Sequence, residues 1–376
     1  MLTRGSRHHD RQALRDELDR LRAELWVGGD ESGAWAEITT VRDSVPEVVA
    51  LLAELLREPA FPAAELEILR RERIAQWQSM RSDPEARAQL ALAQQLEPWP
   101  ADDPRAHLTP DEAIARLRRV RRSDLVRLHR ELWGSGDLQL VAVGDVDPEA
   151  LRAVVVERLD GWVAPRAPER LPQRFHEVGG GEPLRIDTPD KELAVVLMGQ
   201  TLRLRQDDPD YPALVLANHL LGGASDSRLL ERLRQQDGFS YSAGSRLEVS
   251  ALDAAGTLVA AAQCAPENAS AVRGAMDEEI GRLLREGVGE QELAAGKASL
   301  RASFETWLTS DGAVADRQLE ELSVGRTLVV VQRLYEAIDE VSADQLVEVL
   351  ARHVAADRFV VVIAGDLGRA GLAAAP

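Results

Sequence analysis

The sequence predicts an α+β protein made of two tandem, homologous α+β domains, each a sheet covered by helices. Three observations carry that reading. Long stretches place apolar residues three and four apart, as in PDEAIARLRRVRRSDLVRLHREL (110–132) and NASAVRGAMDEEIGRLLREG (268–287), which is the period of an amphipathic helix. Short runs of β-formers, LQLVAVGD (138–145) and GTLVAAAQCAP (256–266), read as strands, and they do not alternate strictly with the helices. Features also recur at nearly one offset. LLREPAFPAAEL (55–66) matches LLREGVGEQEL (283–293), and DLVRLHRELWGSGDLQLVAVGDVD (124–147) matches DQLVEVLARHVAADRFVVVIAGDLG (344–368). Leu55 and Leu283 are 228 residues apart, Asp124 and Asp344 are 220 apart, and Gly144 and Gly365 are 221 apart. A constant offset is the mark of a duplicated unit.

In chain order, the polar N-terminus MLTRGSRHHDRQ has no apolar core of a signal peptide, so the compartment stays open between bacterial periplasm and cytoplasm. Adjacent His8 and His9 would point about 100° apart on a helix and read as a solvated surface pair. The first domain spans 1–165. The Pro-, Gly- and Arg-rich stretch VAPRAPERLPQRFHEVGGGEP (163–183) is the expected linker. The second domain, 166–376, opens with the strand pattern PLRIDTPDKELAVVLMGQTLRL and the helix PDYPALVLANHLLGG. Subtracting the offset from residue 184 places the equivalent opening about 40 residues before Met1, so the first domain is expected to be N-terminally truncated.

Composition excludes several classes. The 376 residues carry a net charge of −18, which opposes nucleic acid as a partner. No run of about 18 apolar residues is present to span a membrane as a helix. The single cysteine, Cys264, can form neither an internal disulfide nor a cysteine zinc site. No Ser-His-Asp or Cys-His constellation stands out, so no catalytic residue is assigned in this chain.

LLGGASDSRLLERLRQQDGFSYSAGS (220–245) is the most distinctive stretch. Gly222-Gly223 closes one helix, a short amphipathic helix follows, and Asp237-Gly238 stops it before a strand. Gly222-Gly223 is not a phosphate cradle, since no Gly-Lys-Ser/Thr follows. Arg234 precedes the turn and Tyr241 follows it. On alternation alone Phe239, Tyr241, Ala243 and Leu247 share a face, so a core role for Tyr241 competes with a functional one.

Together with LLREPAFPAAELEILRRER, VGDVDPEAL, DTPDKELAVVLMGQ, DDPDYPALVLANHLL and the closing VVVIAGD, this stretch resembles the pitrilysin/insulinase-like zinc metallopeptidases, the inverzincins, over almost the whole chain. The resemblance implies paired α+β domains that close around a peptide chamber. It also implies a zinc site built from H-x-x-E-H and a glutamate about 75 residues later. That motif is absent: none of the seven histidines has a second one four residues away. MLTRGS resembles the segment that follows the motif in active members. Counting on from there reaches Gln76, whose amide brings no charge to a metal. The resemblance therefore points to the non-catalytic half, with no metal of its own and Zn²⁺ on a catalytic partner half. That half would be part of the same longer polypeptide or a separate subunit. In the family, R-x6-Y contributes substrate-binding groups, here Arg234 and Tyr241, toward a peptide. The alternative is a scaffold subunit with no peptidase role.

Overall fold

The computed structural model describes residues 1–30, 33–167 and 169–372; Pro168, inside the expected linker, lies outside them. In chain order the elements are α1 (Arg11–Arg20), the hairpin β1 (Glu24–Gly29) and β2 (Ala34–Thr39), α2 (Val45–Arg57), α3 (Ala63–Met80), α4 (Pro84–Leu96), α5 (Pro110–Arg119), α6 (Arg122–Leu132) and α7 (Pro148–Leu159). There follow β3 (Leu184–Asp187), β4 (Ala194–Leu202), α8 (Tyr211–Asn218), α9 (Arg228–Leu230), β5 (Ser240–Val249) and β6 (Gly256–Cys264). The chain continues with α10 (Ala269–Glu286), α11 (Glu290–Trp307), α12 (Asp311–Ser323), α13 (Val329–Glu340), α14 (Ala343–His353) and β7 (Val360–Gly365). Helix starts follow local chemistry. Asp10, Asp83, Asp147 and Ser342 cap α1, α4, α7 and α14, each accepting a backbone N–H. Gly287, at φ 67°, ends α10.

By contact the chain forms two compact units. The first gathers Met1–Gln78, Pro110–Leu171 and Asp311–Ser323; the second gathers Ser79–Thr109, Pro172–Ser310 and the chain from Val324 on. Both draw on discontinuous stretches, whereas the sequence expectation was a single division at 165/166.

The second unit is built on a five-stranded sheet in the order β3-β7-β4-β6-β5. β3 runs parallel to β7, and the other neighbours are antiparallel. All nine residues of β4 and all six of β7 are buried, because the sheet is covered on both faces. On one face Val196, Met198, Val361 and Ile363 join the main core with α8, α10 and α14. On the other, Ala88, Leu92 and Leu96 of α4 pack on Val195, Leu197, Val360 and Val362. Gly199 allows that approach: a Cβ there would stand 2.9 Å from both Leu92 and Leu96 methyls.

The first unit has a smaller core. Leu14, Leu21, Val48, Leu51 and Leu55 pack with Leu25 and Ile38 from one face of the β1–β2 hairpin. Here one expectation fails. Residues 138–143 of LQLVAVGD form no strand, because no other strand pairs with them among the described residues. A run of β-formers becomes a strand only when a second chain segment satisfies its N–H and C=O groups. The helical stretch 110–132 also divides, into α5 and α6, with Asp124 accepting from the Arg121 N–H at the second start.

Candidate functional site

The site is built around the Asp237-Gly238 turn of the second unit. From Glu231 to Gln236 the helix that begins at Arg228 widens to π geometry, and His219–Gly223 before it does the same. π segments are uncommon and cluster at functional positions. The Asp237 N–H donates to the Arg232 carbonyl at 3.0 Å, and the Phe239 N–H to the Leu233 carbonyl at 2.9 Å. Gly238 sits at φ +66°, where a side chain would be strained.

Three arginines lie on this short helix, and the structure separates their roles. Arg228 forks onto Glu292 at 2.6 and 2.7 Å and donates to the Gly287 carbonyl at 2.8 Å. Arg232 holds Asp237 at 2.8 Å and Glu278 at 3.1 Å, which ties the turn to α10 and raises the Arg232 pKa above its usual range. Both are structural clamps. Arg234 is exposed and, among the described residues, makes no hydrogen bond or ion pair with its side chain.

Tyr241 lies seven residues on, in β5, an edge strand of the sheet. The core alternative for this side chain is overturned. The register between β5 and β6 shifts between Ser240 and Ser242, so Tyr241 is the extra residue of a β-bulge. The Ser240 hydroxyl, 2.6 Å from the Ser242 carbonyl and 2.7 Å from the Gln263 carbonyl, holds the bulge. The extra residue breaks the alternation. Phe239, Ala243 and Leu247 pack against the core, while Tyr241 is 67% exposed. Its hydroxyl is unpaired within the described residues. The strand itself is seated by Gly222, where a Cβ would meet the Ser245 nitrogen at 2.2 Å. Ser245 Oγ donates to the Asn218 carbonyl at 3.1 Å. Close approach between helix and strand is thus the reason for the first glycine of the pair.

Gln76 is exposed on α3 and accepts from Arg73 at 2.9 Å. Arg4 reaches the same helix, donating to Glu65 at 3.3 Å and Glu72 at 2.8 Å. A neutral amide already bonded to a guanidinium does not fit a zinc ligand. His9 faces Glu54 at 3.0 Å and His8 is exposed, so the two rings have separate surroundings. One metal-like group exists among the described residues, Asp208, Asp210 and His353. Asp210 already accepts from His353 at 2.8 Å and from Arg352. Burial raises the Asp210 pKa, but these two partners outweigh burial and the net shift is downward. With a guanidinium on the carboxylate, the group locks the start of α8 to the end of α14.

Comparison with known proteins agrees with this architecture. Residues 119–300 match the family model for the peptidase M16 inactive domain. That match bears out the likeness, read from the sequence, to the non-catalytic half of the zinc-peptidase family. It is 26% identical over 363 residues to an uncharacterized zinc protease of Mycobacterium tuberculosis, spanning 94% of this chain and 81% of that protein. It is 25% identical over 271 residues to a probable inactive metalloprotease of Bacillus subtilis, covering 66% of this chain and 61% of that one. In structure it resembles a peptidase M16 inactive domain from Pseudomonas fluorescens, with a TM-score of 0.82 at 21% identity, over 97% of this chain and 86% of that one.

Proposed function

We propose that this chain is the non-catalytic half of a zinc metalloendopeptidase and supplies substrate-binding groups and chamber wall to a partner half bearing H-x-x-E-H. The observation that carries this reading is selective freedom. On a helix where Arg228 and Arg232 are spent on structure, Arg234 has no side-chain partner among the described residues. The bulge seven residues later turns out a tyrosine whose hydroxyl has no partner among them either. A guanidinium offers a permanent charge and a planar fork to peptide carbonyls. A phenol can donate to the oxyanion that develops during peptide cleavage. Zinc belongs to the partner half in this reading. The purified chain is expected to hold no stoichiometric zinc, and elemental analysis checks that.

The test is reconstitution with an H-x-x-E-H half from the same source. Tyr241→Phe removes one exposed hydroxyl that has no partner among the described residues, so the melting temperature should stay within error. Loss of one donor to the transition state typically lowers kcat by about 10²–10³, and that drop is expected. Arg234→Lys keeps the charge, loses the fork and should raise KM. Near-normal turnover in both variants would refute the reading. A scaffold role is the second reading, and the names of the relatives favour it: a probable inactive metalloprotease in Bacillus subtilis and a non-peptidase homolog in Helicobacter pylori. It predicts assembly without any effect of either substitution on cleavage.

A further inference from the structure

The tryptophans of this chain are unevenly placed. Of the seven, only Trp26 and Trp35 are exposed, at 64% and 50%, and both stand on one face of the β1–β2 hairpin. The antiparallel register puts them there. Leu25 and Ile38, paired across the ladder, turn to the core of the first unit. Glu24, Trp26 and Gly28 of β1 and Trp35, Glu37 and Thr39 of β2 therefore share the opposite face. Trp26 stands opposite Glu37, and Trp35 opposite Gly28. The two tryptophans are thus diagonal neighbours, about 7–8 Å apart at their backbones.

Trp35 has a structural use. A Cβ on Gly28 would fall 2.2 Å from Cζ2 of its ring, so the indole lies over bare β1 backbone. Trp26 has no glycine opposite it, and its cross-strand neighbour is the exposed Glu37. Among the described residues the two rings make no aromatic contact and carry no internal cation, whereas Trp99 holds Arg105 at 3.5 Å from its ring centroid. Glu24 and Glu37 likewise make no side-chain hydrogen bond or ion pair among the described residues. Residues 24–39 contain four acids, Glu24, Asp30, Glu31 and Glu37, and no Lys, Arg or His. An aromatic face set among unpaired carboxylates attracts a cation twice, through the ring quadrupole and through charge.

The second unit shows the same face supplied with its own cation. Counted from the turn, Arg246 holds in β5 the place of Trp26 in β1, and Glu248 that of Gly28. That face is also open in a five-stranded sheet: Arg246 and Glu248 are both exposed and pair with each other at 3.2 Å. On the β1–β2 hairpin the acids are present and the base is not.

We propose that the outer face of the β1–β2 hairpin binds basic peptides through an arginine side chain, whose guanidinium lies on Trp26 beside Trp35 and pairs with Glu37. Arginine suits this face better than lysine, because a planar, weakly hydrated guanidinium stacks on an indole while its fork meets a carboxylate. The site stands whether or not the chain serves a peptidase.

The probe is the peptide acetyl-Gly-Arg-Gly-Arg-Gly-amide, titrated into the full chain labelled at the indole nitrogens. The resonances of Trp26 and Trp35, assigned by phenylalanine substitution at each position, should shift saturably while those of the other tryptophans stay in place. The same peptide with citrulline for arginine keeps the shape, loses the charge and should move none of them. Raising salt from about 0.05 M to about 0.5 M screens exposed charges and should weaken binding. Trp26→Leu keeps an apolar side chain at an exposed position, so the melting temperature should hold. Its affinity should fall about two- to fivefold, the loss expected for one exposed cation–π contact. Glu37→Gln should weaken binding by up to a similar factor, about fivefold at most for an exposed ion pair. The proposal is overturned if the arginine peptide moves neither resonance, if the citrulline peptide moves them equally, or if all the indole resonances move together. It is also overturned if Trp26→Leu binds as the parent does. A shift of the pair with rising protein concentration and no peptide would overturn it as well, since a second copy would then cover the face.

Discussion

Replacing Gly222 with alanine should destabilise the second unit, whereas the same change at Gly274 should not. A Cβ on Gly222 falls 2.2 Å from the Ser245 nitrogen and 2.5 Å from the Gly244 carbonyl carbon. Ordinary contact begins near 3.4 Å, so the gap must open by about 1 Å. The obstacles are backbone atoms of β5, and no rotamer change relieves them. Overpacking of this kind typically costs about 1–3 kcal/mol. Backbone obstacles place the cost at the upper end of that range, and alanine's better helix propensity returns at most about 1 kcal/mol, leaving a net loss of about 2 kcal/mol. Gly274, inside α10, has nothing within 4 Å of the added Cβ. There the stiffer unfolded chain should bring a gain of about 0.4–1 kcal/mol. Denaturant unfolding of the three proteins, compared by midpoint at unchanged slope, reads both effects. A Gly222→Ala midpoint at or above the parent's would refute the claim that helix and strand meet at contact distance. The placement of Tyr241 by that contact would fall with it.

Two further outcomes are expected. His219 is buried, 3.1 Å from Ser299 Oγ, and burial lowers its pKa against the smaller opposing pull of Asp226. Between the folded value and the unfolded value near 6.5 the unfolded chain binds more protons, so stability should fall as pH drops below about 6.5. His219→Gln should flatten that slope in thermal melts across pH 5–7. The second domain expected from the sequence, 166–376, leaves out α4, which covers one face of the sheet with Ala88, Leu92 and Leu96. A fragment of 172–376 should bind a hydrophobic dye strongly and lose that binding when a peptide of 79–109 is added. A fragment that binds no dye would show that the face needs no cover.

Much of this molecule was legible from local pattern. The three- and four-residue apolar spacing marked α10 and the helical stretch 110–132. The Asp237-Gly238 stop and the strand after it followed from turn chemistry, and R-x6-Y was visible as a motif. These features depend on residues within a few positions of one another, and the sequence holds all of that information. Tertiary structure alone decided the rest. The alternation that grouped Tyr241 with Phe239 and Ala243 is broken by one extra residue, and only the pairing of β5 with β6 reveals it. Local spacing does not distinguish Arg232 from Arg234, since Asp237 lies within five residues of both; the folded turn gives Asp237 to Arg232, α10 adds Glu278, and Arg234 has no carboxylate partner among the described residues. LQLVAV (138–143) and VVVIAG (360–365) are both β-former runs, yet the second is a buried central strand and the first is mostly exposed and pairs with no strand among the described residues. A strand is a relation between two backbones, so β propensity can mark a segment as ready to pair but cannot supply its neighbour.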